Sequence, residues 1–328
     1  MIGINSVVGR FNRVSVSART SLRCVLVASA LMLGALVTPT GCDDPQLEAD
    51  TRPAVLATTG MIADAVTQIG GDSVRVETLM APGVDPHLYK ASEGDVRRLA
   101  GADLILYNGL YLEGKLAEVL SKMRASRPVV AVAEAVPKER RLAPIGFAGE
   151  FDPHVWFDVG LWIHACEAVS RELIGLLPQR AADFEKNLER YRNELIELDA
   201  WAERELQGIS PAGRVLVTAH DAFGYFGQRY GLRVVGLQGL STVSRAGLKD
   251  IERVVKLIVQ QNVKAIFVES SVPPQTIEAV QAACAQAGHA VVVGGELYSD
   301  SVGPVGSGAE TYVGMVRHNV NTIAQALR

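Results

Sequence analysis

The chain has 328 residues, 48% of them hydrophobic, enough for two ordinary domains with cores of their own. Its formal charge is −4, and setting aside the first 41 residues removes four arginines and no acid, which leaves −8. An acidic chain without a Lys/Arg cluster is a poor partner for nucleic acid.

At the start, Arg10, Arg13, Arg19 and Arg23 precede an uncharged apolar run, 25–37, too short to span a bilayer. TPTGC follows, and then Asp43 and Asp44. This resembles a bacterial lipoprotein signal peptide over 1–41, with Cys42 as the lipidated first residue of the exported chain. Pro39 stands where an aliphatic residue is usual, so ordinary secretion with cleavage nearby is the alternative. Residues 42–53 are polar and read as a tether. Beyond Cys42 only Cys166 and Cys284 remain, both in helix-like runs; they form no disulfide framework, and a single bond between them stays open.

An N-terminal α/β lobe follows, 54–177. Strands are expected at 55–59, 74–79, 103–107 and 129–133, and helices at 61–69, 92–100, 113–123 and 159–177. Ser92 and Asp95 suit cap positions. Such alternation predicts a mostly parallel sheet with helices on both faces. Residues 178–209 then read as one linking helix: Phe184, Leu188, Tyr191, Leu195 and Leu198 recur at steps of four and three, and Ala202 and Leu206 extend the stripe. Pro178 suits its first turn, and Gly208, Pro211 and Gly213 end it. The alternation resumes as a C-terminal lobe, 210–328. Strands fall at 215–218, 234–237, 265–268 and 290–293, and helices at 222–230, 247–261, 274–287 and 312–327. GGELYSDSVGP reads as a loop before the last helix. The fold class is therefore α/β, two parallel-sheet α/β lobes joined by one long α-helix. One helix between lobes predicts little hinge closure, with any movement small or local to the loop around Asp300.

One tripeptide occurs twice, Asp85-Pro86-His87 and Asp152-Pro153-His154. His220 directly follows the strand VLVT, and Asp300 lies in the loop after AVVV. In open α/β sheets, ligands gather at the carboxyl ends of the strands, so these four loops can converge between the lobes. Three neutral imidazoles and one carboxylate suit a divalent transition metal, with tetrahedral geometry natural for zinc. Their separations of 66 to 80 residues form no local metal motif; the repeated tripeptide at strand ends carries the signal. Imidazoles of ordinary pKa predict that metal affinity falls below about pH 6. Asp221, beside His220, and Glu269, ending AIFVE, are candidates for orienting the ligands, against the plainer reading as caps or surface carboxylates. His164, His289 and His318 have no partner motif and read as structural or exposed. Tyr107, Trp156, Phe223 and Tyr225 read as cleft wall and core, and GLQGLS and GPVGSG as plain loops.

LATTGMIADAVTQIGGDSVRVETLMAPGVDPHLYKAS, ADLILYNGLYLEGKL, FDPHVWFD, VTAHDAFGYFGQRYGL, VVGLQGLSTVSRAG and ELYSDSVG run in order through nearly the whole mature chain. In these stretches it resembles the metal-binding lipoproteins that serve ABC importers of zinc and manganese. The resemblance implies the same two lobes and single helix, with His87, His154, His220 and Asp300 as ligands to a metal in the inter-lobe cleft. It further implies a monomeric exported receptor, anchored through Cys42, that passes Zn2+, or alternatively Mn2+, to a permease and its ATPase. Two departures bear on the metal. VPKERRLAPIGFAGEF lacks the histidine-rich loop of dedicated zinc members, and His220 stands where many manganese members carry glutamate. A surface-adhesin role, which the resemblance also brings, is the alternative function. A zinc hydrolase fits less well, because four protein ligands leave no open position for water and no HExxH helix is present.

Overall fold

The computed structural model describes residues 50–144 and 151–328. The signal-peptide and Cys42 readings and most of the 42–53 tether lie outside these residues, as does 145–150 of the histidine-free stretch. Among the described residues no helix is long and apolar enough to cross a membrane.

The first lobe holds β1 (Ala54–Ala57), α1 (Gly60–Gly70), β2 (Arg75–Thr78), α2 (Glu93–Gly101), β3 (Leu104–Tyr107), α3 (Ala117–Met123), β4 (Val129–Ala131) and α4 (Val159–Leu176). Its four strands form one parallel sheet in the order β2-β1-β3-β4. β1 is fully buried, as a central strand with helices on both faces must be. Ser92 caps α2 in a complete capping box with Asp95. The helix expected from 113 begins only at Ala117. Glu113 is buried and accepts the Asn108 and Gly109 amides at 2.8 and 3.1 Å and the Thr58 hydroxyl at 2.8 Å. It closes a loop in which Gly109, Leu110 and Tyr111 all have positive φ, and turns carry the chain from there to Ala117.

α5 (Ala181–Gln207) follows a single 3-10 turn at Pro178–Arg180 and runs 27 residues, about 40 Å. Its buried face is the expected stripe of Phe184, Tyr191, Leu195, Leu198, Ala202 and Leu206, with Leu188 half-buried. This stripe packs against α1 and α4 from the first lobe and α9 from the second. One continuous apolar core includes Val55, Ile62 and Trp156, the α5 stripe, and Leu216, Phe267 and Tyr312. Under it, Asp64 Oδ2 accepts the Tyr191 hydroxyl at 3.1 Å and the Tyr312 amide at 3.0 Å, tying α1, α5 and α9 at one buried point.

The second lobe holds β5 (Val215–Thr218), α6 (Gly224–Tyr230), β6 (Arg233–Gly236), α7 (Leu248–Gln261), β7 (Ala265–Glu269), α8 (Gln275–Gln286), β8 (Val292–Leu297) and α9 (Tyr312–Leu327). Its strands pair in parallel as β5-β6 and β7-β8, with β5 beside β7. Strand β8 corrects the sequence reading, since it runs through Gly294-Gly295 to Leu297 where a loop was expected. The glycines are there for packing. A Cβ on Gly294 would lie 2.6 Å from the Ala326 Cβ, and Gly295, at φ +143°, would meet Thr322 at 2.5 Å, so α9 packs directly on the strand. A register shift opposite, between Ile266 and Val268, absorbs the irregularity. Cys166 and Cys284 are both buried free thiols, which settles the open question of a bond between them.

Candidate metal centre

Four loops at the carboxyl ends of strands, or leading into α4, bring His87, His154, His220 and Asp300 together. All four are buried, and one ligand atom from each lies within 4.8 Å of the others. His87 Nε2 is 3.3 Å from His154 Nε2; Asp300 turns Oδ1 to His154 Nε2 at 3.5 Å and Oδ2 to His220 Nε2 at 3.4 Å. Among the described residues, His220 Nε2 and Asp300 Oδ1 are buried without a hydrogen-bond partner. Such atoms are costly unless something else binds them. Zinc–ligand bonds of about 2.0–2.1 Å in a tetrahedron set neighbouring donors roughly 3.3–3.4 Å apart, so the donor set fits a metal.

Three of the four side chains are held from behind, and His87 is held through its backbone amide. The two Asp-Pro-His copies fold alike: Asp85 Oδ1 accepts the His87 amide at 2.8 Å, and Asp152 Oδ1 accepts the His154 amide at 2.9 Å. These are Asx turns, in which the aspartate bonds the backbone two residues on. Asp152 also holds His154 Nδ1 at 2.7 Å, which directs Nε2 inward. Glu269 does the same for His220, accepting its amide at 2.8 Å and facing Nδ1 at 2.5 Å. Asp300 is held by the Ser271 hydroxyl at 3.1 Å, itself 2.8 Å from the Ser299 hydroxyl. Buried bonds also join the lobes here: Trp156 Nε1 donates to Ser299 O at 2.9 Å, Tyr312 Oη to Trp156 O at 2.7 Å, and Tyr225 Oη to Asp152 O at 3.0 Å. Asn108 reaches Pro153 O at 3.0 Å, so the Glu113 loop supports the second tripeptide.

Asp221 faces elsewhere. It is half-buried on a cavity with Arg233, Arg245 and Arg253, and among the described residues it makes no hydrogen bond to the four. His164, His289 and His318 stay apart, beside Glu167, Val263 O and Glu296 O. Trp156, Phe223 and Tyr225 are buried, while Tyr107 is half-buried. Sequence reasoning missed Asp85 and Asp152 as positioning groups. The Asp-x-His spacing was the available signal, since an aspartate two residues before another residue is the Asx-turn pattern.

Electrostatics distinguish the histidines. Burial holds the His87 pKa down to about 3, despite the attraction of Asp300. For His220, burial alone would also lower the pKa, but the Glu269 and Asp300 carboxylates outweigh it and raise it well above the ordinary value. Burial pushes Asp300 up, and His220 beside it more than reverses this, so its pKa lies below the carboxylate range. A metal taken up here would have to displace a proton from His220, while the lowered pKa of His87 leaves that ring free of such competition until the solution is strongly acid. Proton and metal compete for the same nitrogen, so affinity rises with pH until the raised pKa of His220 is passed. Affinity is expected to keep rising between pH 6.5 and 7.5, above the window that ordinary imidazoles predict. Metal titrations at three pH values check this, and an affinity flat across that unit contradicts it.

A family profile described as "Zinc-uptake complex component A periplasmic" matches residues 55–326. The chain belongs to the ZnuA family. Within ZnuA proteins it is 48% identical to the manganese-binding lipoprotein MntA of Bacillus subtilis, over 94% of this chain and all of that one. It is 49% identical to the zinc-binding protein TroA of Treponema pallidum, over 93% and 97%. The solved periplasmic zinc-binding TroA structure from the same organism superposes with a TM-score of 0.82 at 51% identity, covering 84% of this chain and 99% of that one. These ZnuA relatives are named for metal binding, MntA for manganese and TroA for zinc. The ZnuA fold here is the α/β pair of lobes with a long connecting helix, and a His3Asp cluster consistent with divalent-metal binding lies between them.

Proposed function

We propose that this protein is the extracytoplasmic receptor of an ABC importer, capturing a divalent transition metal and passing it to a membrane permease and its ATPase. His87, His154, His220 and Asp300 are its ligands. The observation that carries this reading is the convergence of three imidazoles and one carboxylate, all buried, with two of their polar atoms unpartnered. Four protein donors saturate a tetrahedral ion, which suits carriage rather than hydrolysis at the metal. Residues 54–177 and 210–328 act as the lobes, 178–209 as their link, and Cys42 as the residue whose lipid anchors the exported chain to the membrane.

Zinc is the metal we assign, with manganese as the second cargo. Imidazole suits zinc, whereas manganese favours carboxylate, carbonyl and water, and zinc stands higher in the affinity order at a given nitrogen/oxygen site. Both oxygens of Asp300 face the centre, which supplies a further oxygen donor and supports acceptance of manganese as well. Competition titrations at pH 7.5 test the assignment. Zinc should bind more tightly than manganese, and His220→Glu should narrow the gap by exchanging an imidazole for a carboxylate. A wild-type preference for manganese, or a ratio indifferent to His220→Glu, defeats the zinc assignment.

A further inference from the structure

We propose that Thr242 and Ser301 form a latch that holds the 80–89 loop closed, so that His87 is the ligand whose arrival and departure set how fast metal is released. The proposal rests on the reading of His87 as a ligand.

The three histidines are not held alike. His154 and His220 each have a carboxylate on Nδ1 and lie in loops fixed by buried bonds. The His87 ring makes one hydrogen-bond contact among the described residues, Nε2 to His154 Nε2, and its loop has no regular structure. That loop is fastened to the opposite lobe at two points. Thr242 Oγ1 donates to Asp85 Oδ2 at 2.5 Å, and the Gly83 amide donates to Ser301 Oγ at 2.9 Å.

Both fastenings bear directly on the site. Asp85 uses its other oxygen to hold the His87 amide, so the Thr242 bond is transmitted to the ligand through one carboxylate. Ser301 follows Asp300 in sequence. Gly83 presents its amide from a turn that Pro82 and glycine specify: φ at Gly83 is +78°, and the Val84 amide returns to Ala81 O at 3.1 Å. A cavity of about 360 Å3 opens beside Asp85, Leu88, Thr242 and Ser271, and Leu88 is half exposed at its rim. The outer side of the loop thus meets open space, while its inner side carries the ligand. On the other side of the centre, Trp156, Tyr225 and Tyr312 join the lobes by buried bonds. On this proposal the ligand that moves is His87, whereas the sequence reading placed any local movement around Asp300.

The test is zinc release from the full exported chain, followed after mixing with excess EDTA. Thr242→Val removes a hydrogen bond to a charged group at constant shape, and release should quicken roughly tenfold or more. Ser301→Ala should quicken it severalfold, and Thr242→Ser should release at the wild-type rate. Association should change less than release. If Thr242 acts through His87, then Thr242→Val adds nothing in a His87→Ala background. Wild-type protein that binds no zinc defeats the ligand reading and the latch with it. Wild-type protein that binds zinc overturns the latch alone if Thr242→Val releases at the wild-type rate, or if its increment is the same with and without His87.

Discussion

Asp300→Ala will weaken zinc binding by roughly three orders of magnitude. Asp300 is the one anion among the four donors, and it lies fully buried beside His220 and His154. Removing one partner from a buried charge pair costs about 3–5 kcal/mol, and here the remaining partner on binding is a divalent ion. The Ser271 hydroxyl keeps Ser299 as its partner and cannot substitute for a carboxylate. A chelator competition gives the number. A loss of less than tenfold would place the metal elsewhere on the molecule.

Zinc at a thousandfold excess over Kd will raise the melting temperature by on the order of ten degrees. A ligand confined to the folded state contributes RT ln(1 + [L]/Kd), about 4 kcal/mol at that excess. A domain of this size gains a few degrees per kcal/mol. EDTA should reverse the shift, and Asp300→Ala at the same zinc concentration should abolish nearly all of it. Superimposable melting curves with zinc and with EDTA would contradict the site.

Much of this molecule could be read before its structure was seen, because its signals are local or periodic. The stripe from Phe184 to Leu206 specified the long helix. Alternating strands and helices specified parallel sheets, and the carboxyl-end rule brought His87, His154, His220 and Asp300 to one place. What stayed hidden depends on pairs of ordinary residues far apart in sequence. Thr242 meets Asp85 across 157 residues and Gly83 meets Ser301 across 218, and no pattern in either neighbourhood announces the other. The two local misreadings have the same root. Gly294-Gly295 looks like a turn until α9 is laid on it, and Glu113 looks like helix until its loop closes around it. Asp221 and Glu269 were equal candidates as sequence. Only the end of β7 lies behind His220, so Glu269 holds the ring while Asp221 faces a different cavity.

The core shared through α5 makes the receptor indivisible. A fragment ending near residue 209 would carry two of the four donors and leave the α9-facing part of the helix stripe without its cover. The complementary fragment would lack the Tyr191 and Asp64 seat on which the start of α9 rests. Each half keeps a smaller core of its own, but the shared core and the four-residue cluster need both. A lobe exchanged between relatives would therefore have to match its new neighbour along the α5 stripe as well as at the cluster.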